Sequence, residues 1–107
     1  MAITVRDAQT SFTVFKESLP AFVPTVAEDI ETQDCWVDMI SLSHVSTGPC
    51  VVTISDKQGT PVKHVNTTMT DGDLINNVYP WGRLFYGGIN VSCDTASKVV
   101  MHVRWKR

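Results

Sequence analysis

The last run of the chain, Lys98-Val99-Val100-Met101-His102-Val103-Arg104-Trp105-Lys106, limits the fold more than any other feature. Val99, Met101, Val103 and Trp105 occupy every second position, with Lys98, Val100, His102, Arg104 and Lys106 between them. Side chains alternate across a β-strand with period two, so this pattern describes a strand with one face on a core. On a helix the same apolar residues would scatter around the axis and bury no single face. No segment repeats apolar residues at helical spacing over three turns; residues 25–36, TVAEDIETQDCW, have room for one short helix. The core must come from sheets.

Other segments fit the same pattern. In GINVSCD (88–94), Ile89, Val91 and Cys93 alternate with Asn90, Ser92 and Asp94, and the short polar link 94–97 predicts a hairpin with the final strand. CVVTIS (50–55) and PVKHVNT (61–67) flank Asp56-Lys57-Gln58-Gly59, a link of turn-forming residues, which predicts a second hairpin. Pro61 suits an edge or a first strand position, where no N–H is needed. Residues 34–45 read as a longer strand mixed on both faces. AITVR (2–6) and SFTVFK (11–16) alternate and are expected to pair around Asp7–Thr10. Pro20 and Pro24 rule out a regular helix in LPAFVPTV (19–26), which reads as extended edge or arm. TMTDGDLINNV (68–78) reads as a loop with room for one helical turn. About seven to eight short strands with turn signals between them predict an all-β chain: a single-domain antiparallel β-sandwich or jelly roll over 1–107, with 1–33 partly an extended N-terminal arm.

At 107 residues the chain can bury one modest core. A net charge of −2 argues against duplex nucleic acid as a partner. The charges are unevenly spread: residues 1–55 carry five more acids than bases, residues 56–107 three more bases than acids. Either folding mixes these within one subunit, or the acidic face of one subunit meets the basic face of a copy. No apolar run approaches the ~20 residues of a membrane span, and no leader pattern follows Met1, so neither a membrane partner nor export is expected. Cys35, Cys50 and Cys93 are odd in number with no C-x-x-C pair, which reads as reduced, mostly buried thiols.

Catalytic chemistry finds little support. Cys50 or Cys93 would need a histidine base and an electropositive setting, and no such signature surrounds them. His64 and His102 lie beside Lys63 and near Arg104, as on solvated strand faces. Asp71-Gly72-Asp73 resembles part of a calcium loop without its further oxygen ligands, and a polar turn explains it better. Gly82, Gly87 and Gly88 precede a strand, whereas phosphate cradles lead into a helix. The expectation is a non-enzymatic protein with no cofactor and no metal.

The densest stretch, YPWGRLFYGGINVSC (79–93), packs Tyr79, Trp81, Phe85 and Tyr86 around Pro80 and three glycines. Three readings compete. The aromatics seal the end of a sandwich where Gly87-Gly88 bends the chain, which is the favoured reading. They anchor a subunit interface, where Trp, Tyr and Arg are enriched. Or Trp81 and its tyrosines stack on a sugar, with Asn76, Asn77 and Arg83 meeting its hydroxyls. The interface candidates are Phe22, Tyr79, Trp81, Arg83, Phe85 and Tyr86.

Val52, Thr53, Asp56, Gly59, Pro61 and Val62, followed by Gly87, Gly88, Val91 and Ser92, form a hairpin, a Gly-Gly strand entry and a final alternating strand. Over roughly the last 60 residues this arrangement resembles small β-sandwich virion proteins of tailed bacteriophages. The resemblance implies a structural subunit: a capsid decoration or cement protein, or a head–tail or tail accessory protein. Its partners would be itself, as a homo-oligomer such as a trimer, and a capsid or tail protein. It would reside in the virion after synthesis in the reducing host cytoplasm. The alternative function is a carbohydrate-binding β-sandwich module using the Trp81 cluster.

Overall fold

Alternation along short segments is satisfied by strands throughout. The computed structural model describes residues 5–10 and 13–18 as backbone strands, and residues 27–93 and 98–107 in full. The strands are β1 (Val5–Thr10), β2 (Thr13–Ser18), β3 (Glu28–Glu31), β4 (Cys35–His44), β5 (Cys50–Ser55), β6 (Lys63–Met69), β7 (Leu74–Phe85), β8 (Ile89–Cys93) and β9 (Val99–Lys106). One sheet has the order β1-β2-β9-β4-β7, the other β3-β8-β5-β6, and every pairing is antiparallel. The chain is an all-β sandwich.

The order has a simple origin. β5 pairs with β6, β4 with β7, β3 with β8 and β2 with β9. These are nested rungs of one long hairpin closed at residues 56–62. Rolling that hairpin lays β9 against β4 and β8 against β5, which yields two sheets and the jelly-roll arrangement. The inner faces meet in one core. Val37, Ile40, Leu42, Phe85, Val99, Met101, Val103 and Trp105 come from the larger sheet; Cys50, Val52, Ile54, Val65, Met69, Ile89, Val91 and Cys93 come from the smaller.

The β5–β6 hairpin forms as its turn residues predict. Asp56 Oδ1 accepts the Val62 N–H at 2.9 Å and Asp56 Oδ2 accepts from Gln58 Nε2 at 2.6 Å, so the carboxylate holds the loop closed. Burial opposes ionisation of Asp56, but these donors outweigh it and hold its carboxyl below the usual range. β6 is a sheet edge, and Pro61 lies just ahead of it.

Four expectations differ from the fold. β8 and β9 do not form a hairpin: they lie in different sheets, because in the rolled arrangement each finds its partner far back in the chain. Residues 74–78 are not loop but the start of the twelve-residue β7, and residues 28–31 form a strand rather than a helix. β1 and β2 do pair, but Asp7–Thr10 lies within β1, with Thr10 opposing Thr13, and is not the link between the strands. The expected arm around Phe22 lies outside the described residues.

The corner from β7 to β8 crosses between sheets in three residues. Gly87 and Gly88 have φ of 76° and 124°. A Cβ on Gly88 would overlap the Glu31 carbonyl oxygen, so the close approach of two backbones requires glycine there. The Gly87 N–H donates to Asp34 Oδ1 at 2.6 Å and the Lys57 N–H to the Tyr86 carbonyl at 2.9 Å.

Candidate functional site

β7 is an edge strand, and its pairing with β4 is interrupted. Val37 opposes Arg83 and Met39 opposes Val78, so Tyr79-Pro80-Trp81-Gly82 stand against Asp38 alone. Four residues bulge from the edge where one would continue the ladder. Pro80 is accommodated because an edge bulge requires no ladder N–H. Gly82 closes the bulge at φ 78°, and a Cβ there would sit 3.3 Å from Cβ of Trp36.

The bulge lifts Trp81 into solvent, 95 % exposed. Below it lies a recess of about 190 Å³ lined by Trp36, Asp38, Pro80, Trp81, Gly82 and Lys106. Its charged rim is fixed: Arg104 grips Asp38 through Nε at 3.0 Å and Nη2 at 2.8 Å, a two-pronged charge-assisted contact. On the other flank, Tyr79, Pro80, Trp81, Gly82 and Arg83 line a shallower depression, with the Arg83 guanidinium 5.6 Å from the Tyr79 ring centroid.

The two outer faces of the sandwich differ. Registered rows across β9, β4 and β7 are Lys106–Trp36–Leu84, Arg104–Met39–Val78, His102–Ser41–Asn76 and Val100–Ser43–Leu74. This face groups Trp36, Met39, Leu84, Val78 and Leu74 on β4 and β7, interrupted by Ser41, Ser43 and Asn76, beside Lys106, Arg104 and His102 on β9. Trp36, Val78 and Leu74 are 41 %, 61 % and 76 % exposed. The corresponding face of the smaller sheet presents Thr53, Ser55, Asn66, Thr68, Asn90 and Ser92, with Val51 as the one apolar side chain among them. The larger sheet therefore carries the more apolar outer face.

The uneven charge along the sequence is mixed by folding. Lys57 pairs with Asp29, Arg104 with Asp38 and Arg107 with Glu31, each joining the acidic first half to the basic second half. Glu31 is the most enclosed: its carboxylate accepts from Arg107 Nε at 2.8 Å and Nη2 at 3.0 Å, from Trp105 Nε1 at 3.2 Å and from the Thr32 N–H at 2.9 Å. Burial alone would raise this carboxyl, but these donors prevail and hold it at about 2. The cluster ties β3 of one sheet to β9 of the other and has a structural role.

The thiol and imidazole expectations change. Cys50 and Cys93, on neighbouring strands β5 and β8, are joined as a disulfide with Cα atoms 6.6 Å apart, so they are not free thiols. Cys35 is buried and free, and burial, with Glu31 and Asp34 nearby, pushes its thiol up to about 12. None of the three is a thiolate nucleophile here. His64 is not on a solvated face. Ile54 opposes Val65 and Ser55 opposes Lys63, so His64 is the extra residue of a bulge. The bulge turns its ring inward to stack on Phe85 at 3.8 Å between centroids. Burial and the Arg83 charge push its pKa down, against the opposing pull of Asp56 3.6 Å away. The Asp71–Asp73 segment is a polar turn: Asp71 Oδ1 accepts the Gly48 N–H and Asp73 Oδ2 the Thr70 N–H, at 2.7 and 2.8 Å.

Among the sequence candidates, the structure brings Tyr79, Trp81 and Arg83 together and leaves Tyr86 at the β7–β8 corner, half exposed. Phe85 is removed from the interface set, because it is fully buried in the core under His64. Phe22 lies outside the described residues. Trp36, Asp38 and Lys106, and the strip Leu74–Val78, were missed. Alternation in Cys35-Trp36-Val37-Asp38 does set Trp36 and Asp38 opposite the buried Cys35 and Val37, a signal that was available. Compared with protein-family models, with curated proteins and with solved structures, the chain matches none.

Proposed function

We propose that this chain is a non-enzymatic structural subunit of a tailed-phage particle, a capsid decoration, cement or head–tail accessory protein. It acts by self-association and by binding a larger shell or tail. One observation carries the reading: Trp81 stands on a glycine-closed bulge at an open sheet edge, beside the exposed Trp36 and on the sheet whose outer face also exposes Val78 and Leu74. Large exposed apolar side chains grouped on one face mark an interaction surface, and buried Trp and Tyr anchors supply most of the energy when it is covered. The disulfide between Cys50 and Cys93 suits a particle that ends its life outside the cell, since such bonds persist in oxidising surroundings. Jelly rolls serve both capsid proteins and lectins, so the fold itself decides nothing between them.

The second reading is a carbohydrate-binding module. It is favoured by the recess itself, where Trp36 and Trp81 offer apolar faces beside the polar groups of Asp38 and Lys106. Light scattering over a concentration series separates the two. The assembly reading expects a mass that rises with concentration and falls back in Trp81→Ser. A strict monomer whose tryptophan emission shifts on addition of glycans supports the carbohydrate module instead.

A further inference from the structure

The two sheets have four edges, and three carry devices against adding another strand. β3 is four residues long and carries Glu28, Asp29 and Glu31. β6 opens on Lys63 and is bulged at His64. β1 has Arg6 and Asp7 within it. Short length, charges, bulges and proline are the usual means by which edge strands avoid pairing with other chains. β7 has such protection only in its second half, from Pro80 and the 79–82 bulge. Its first half, Leu74-Ile75-Asn76-Asn77-Val78, has no charge, no proline and unbroken pairing to β4 from Ser43↔Leu74 to Met39↔Val78.

We propose that two copies of this chain pair along this stretch, antiparallel about a two-fold axis through Asn76, joining their larger sheets into one. The inference rests on the self-association reading and adds its geometry. A second copy fits because the stretch is complementary to itself. A two-fold axis normal to the sheet keeps outer face beside outer face, so even-numbered positions must oppose even-numbered ones. All five residues overlap only when the axis passes through Asn76. Leu74 then opposes Val78 of the other copy twice, covering two of the most exposed apolar side chains. Asn76 opposes Asn76, whose amides can donate to and accept from each other. No like charges meet. The turn at Asp71–Gly72 and the bulge at Tyr79 end the seam on either side.

The test is the solution mass of the intact chain as wild type, Asn76→Lys, Asn76→Glu, their equimolar mixture, and Trp81→Ser. Position 76 is exposed, so both charged variants leave the core untouched. Each charged variant alone places like charges on the axis and weakens pairing about tenfold or more, and the mixture restores it. Wild-type mass in both single variants, or a mixture that stays dissociated, overturns the seam. If Trp81→Ser dissociates while the Asn76 variants do not, self-association stands and the seam alone fails. A wild type that is monomeric throughout removes both.

Discussion

Trp81 and Phe85 sit four residues apart on β7 under opposite constraints. Phe85 fills the core beneath His64, and Trp81 touches little but water. Phe85→Ala is expected to cost about 3–5 kcal/mol in urea unfolding, whereas Trp81→Ser changes stability by no more than about 0.5 kcal/mol while reducing association. Sequence spacing treats the two alike, since both are aromatics in a glycine-rich run. What separates them is a four-residue bulge visible only once β7 is registered against β4. The same holds for His64, which alternation puts outside and a bulge turns inside. Titration follows from these placements. Glu31 has a folded pKa of about 2 against an ordinary 4.5, so its contribution is complete above pH 4.5 and is lost as pH falls towards 2. A carboxyl lowered that far contributes on the order of 3 kcal/mol to folding. His64, with its pKa pushed below 6.5, adds a penalty that grows as pH falls below 6.5. Stability measured by denaturant should therefore decline from pH 6.5 downward, and Glu31→Gln should flatten the portion below pH 4.5.

Among the elements, the β5–β6 hairpin was legible because its two halves are adjacent and Asp56 closes the link locally. β7 was not, because two asparagines, a proline and a glycine lower its strand propensity, while edge position and the bulge make each of them tolerable. The β7–β8 corner is legible in part: Gly87-Gly88 signals a bend, and the structure adds what the bend passes over. Gly88→Ala forces a side chain against the Glu31 carbonyl at a strained φ, at a cost of about 2 kcal/mol or more. Thermal unfolding of that single variant checks it. The disulfide between β5 and β8 closes a separation of 43 residues. Chain-entropy arguments assign such a loop about 4 kcal/mol. Thiol labelling should find no reactive cysteine in the native protein, one after denaturation without reductant, and three after reduction. Three labels without reductant would contradict the bond.

For the whole molecule, alternation and turn spacing establish the sandwich but not the strand order. Order is settled by how the long hairpin rolls, and rolling pairs strands remote in sequence, as β2 with β9 and β3 with β8. Contacts of that range make folding slow relative to a chain of local hairpins. The charge asymmetry is likewise visible in the sequence but resolved only by the fold, where Asp29, Glu31 and Asp38 find Lys57, Arg107 and Arg104 in the same subunit. In the proposed assembly, orientation between subunits would then fall to shape and apolar contact more than to opposed charges. The larger sheet, with Trp81 at its open edge, is the surface we propose for this contact. The most direct measurement is light scattering of the purified chain across a concentration series, beside Trp81→Ser. Self-association predicts a mass climbing from 11.9 kDa to a multiple of it, with Trp81→Ser requiring higher concentration to reach the same state. A mass fixed at 11.9 kDa at every concentration would contradict it.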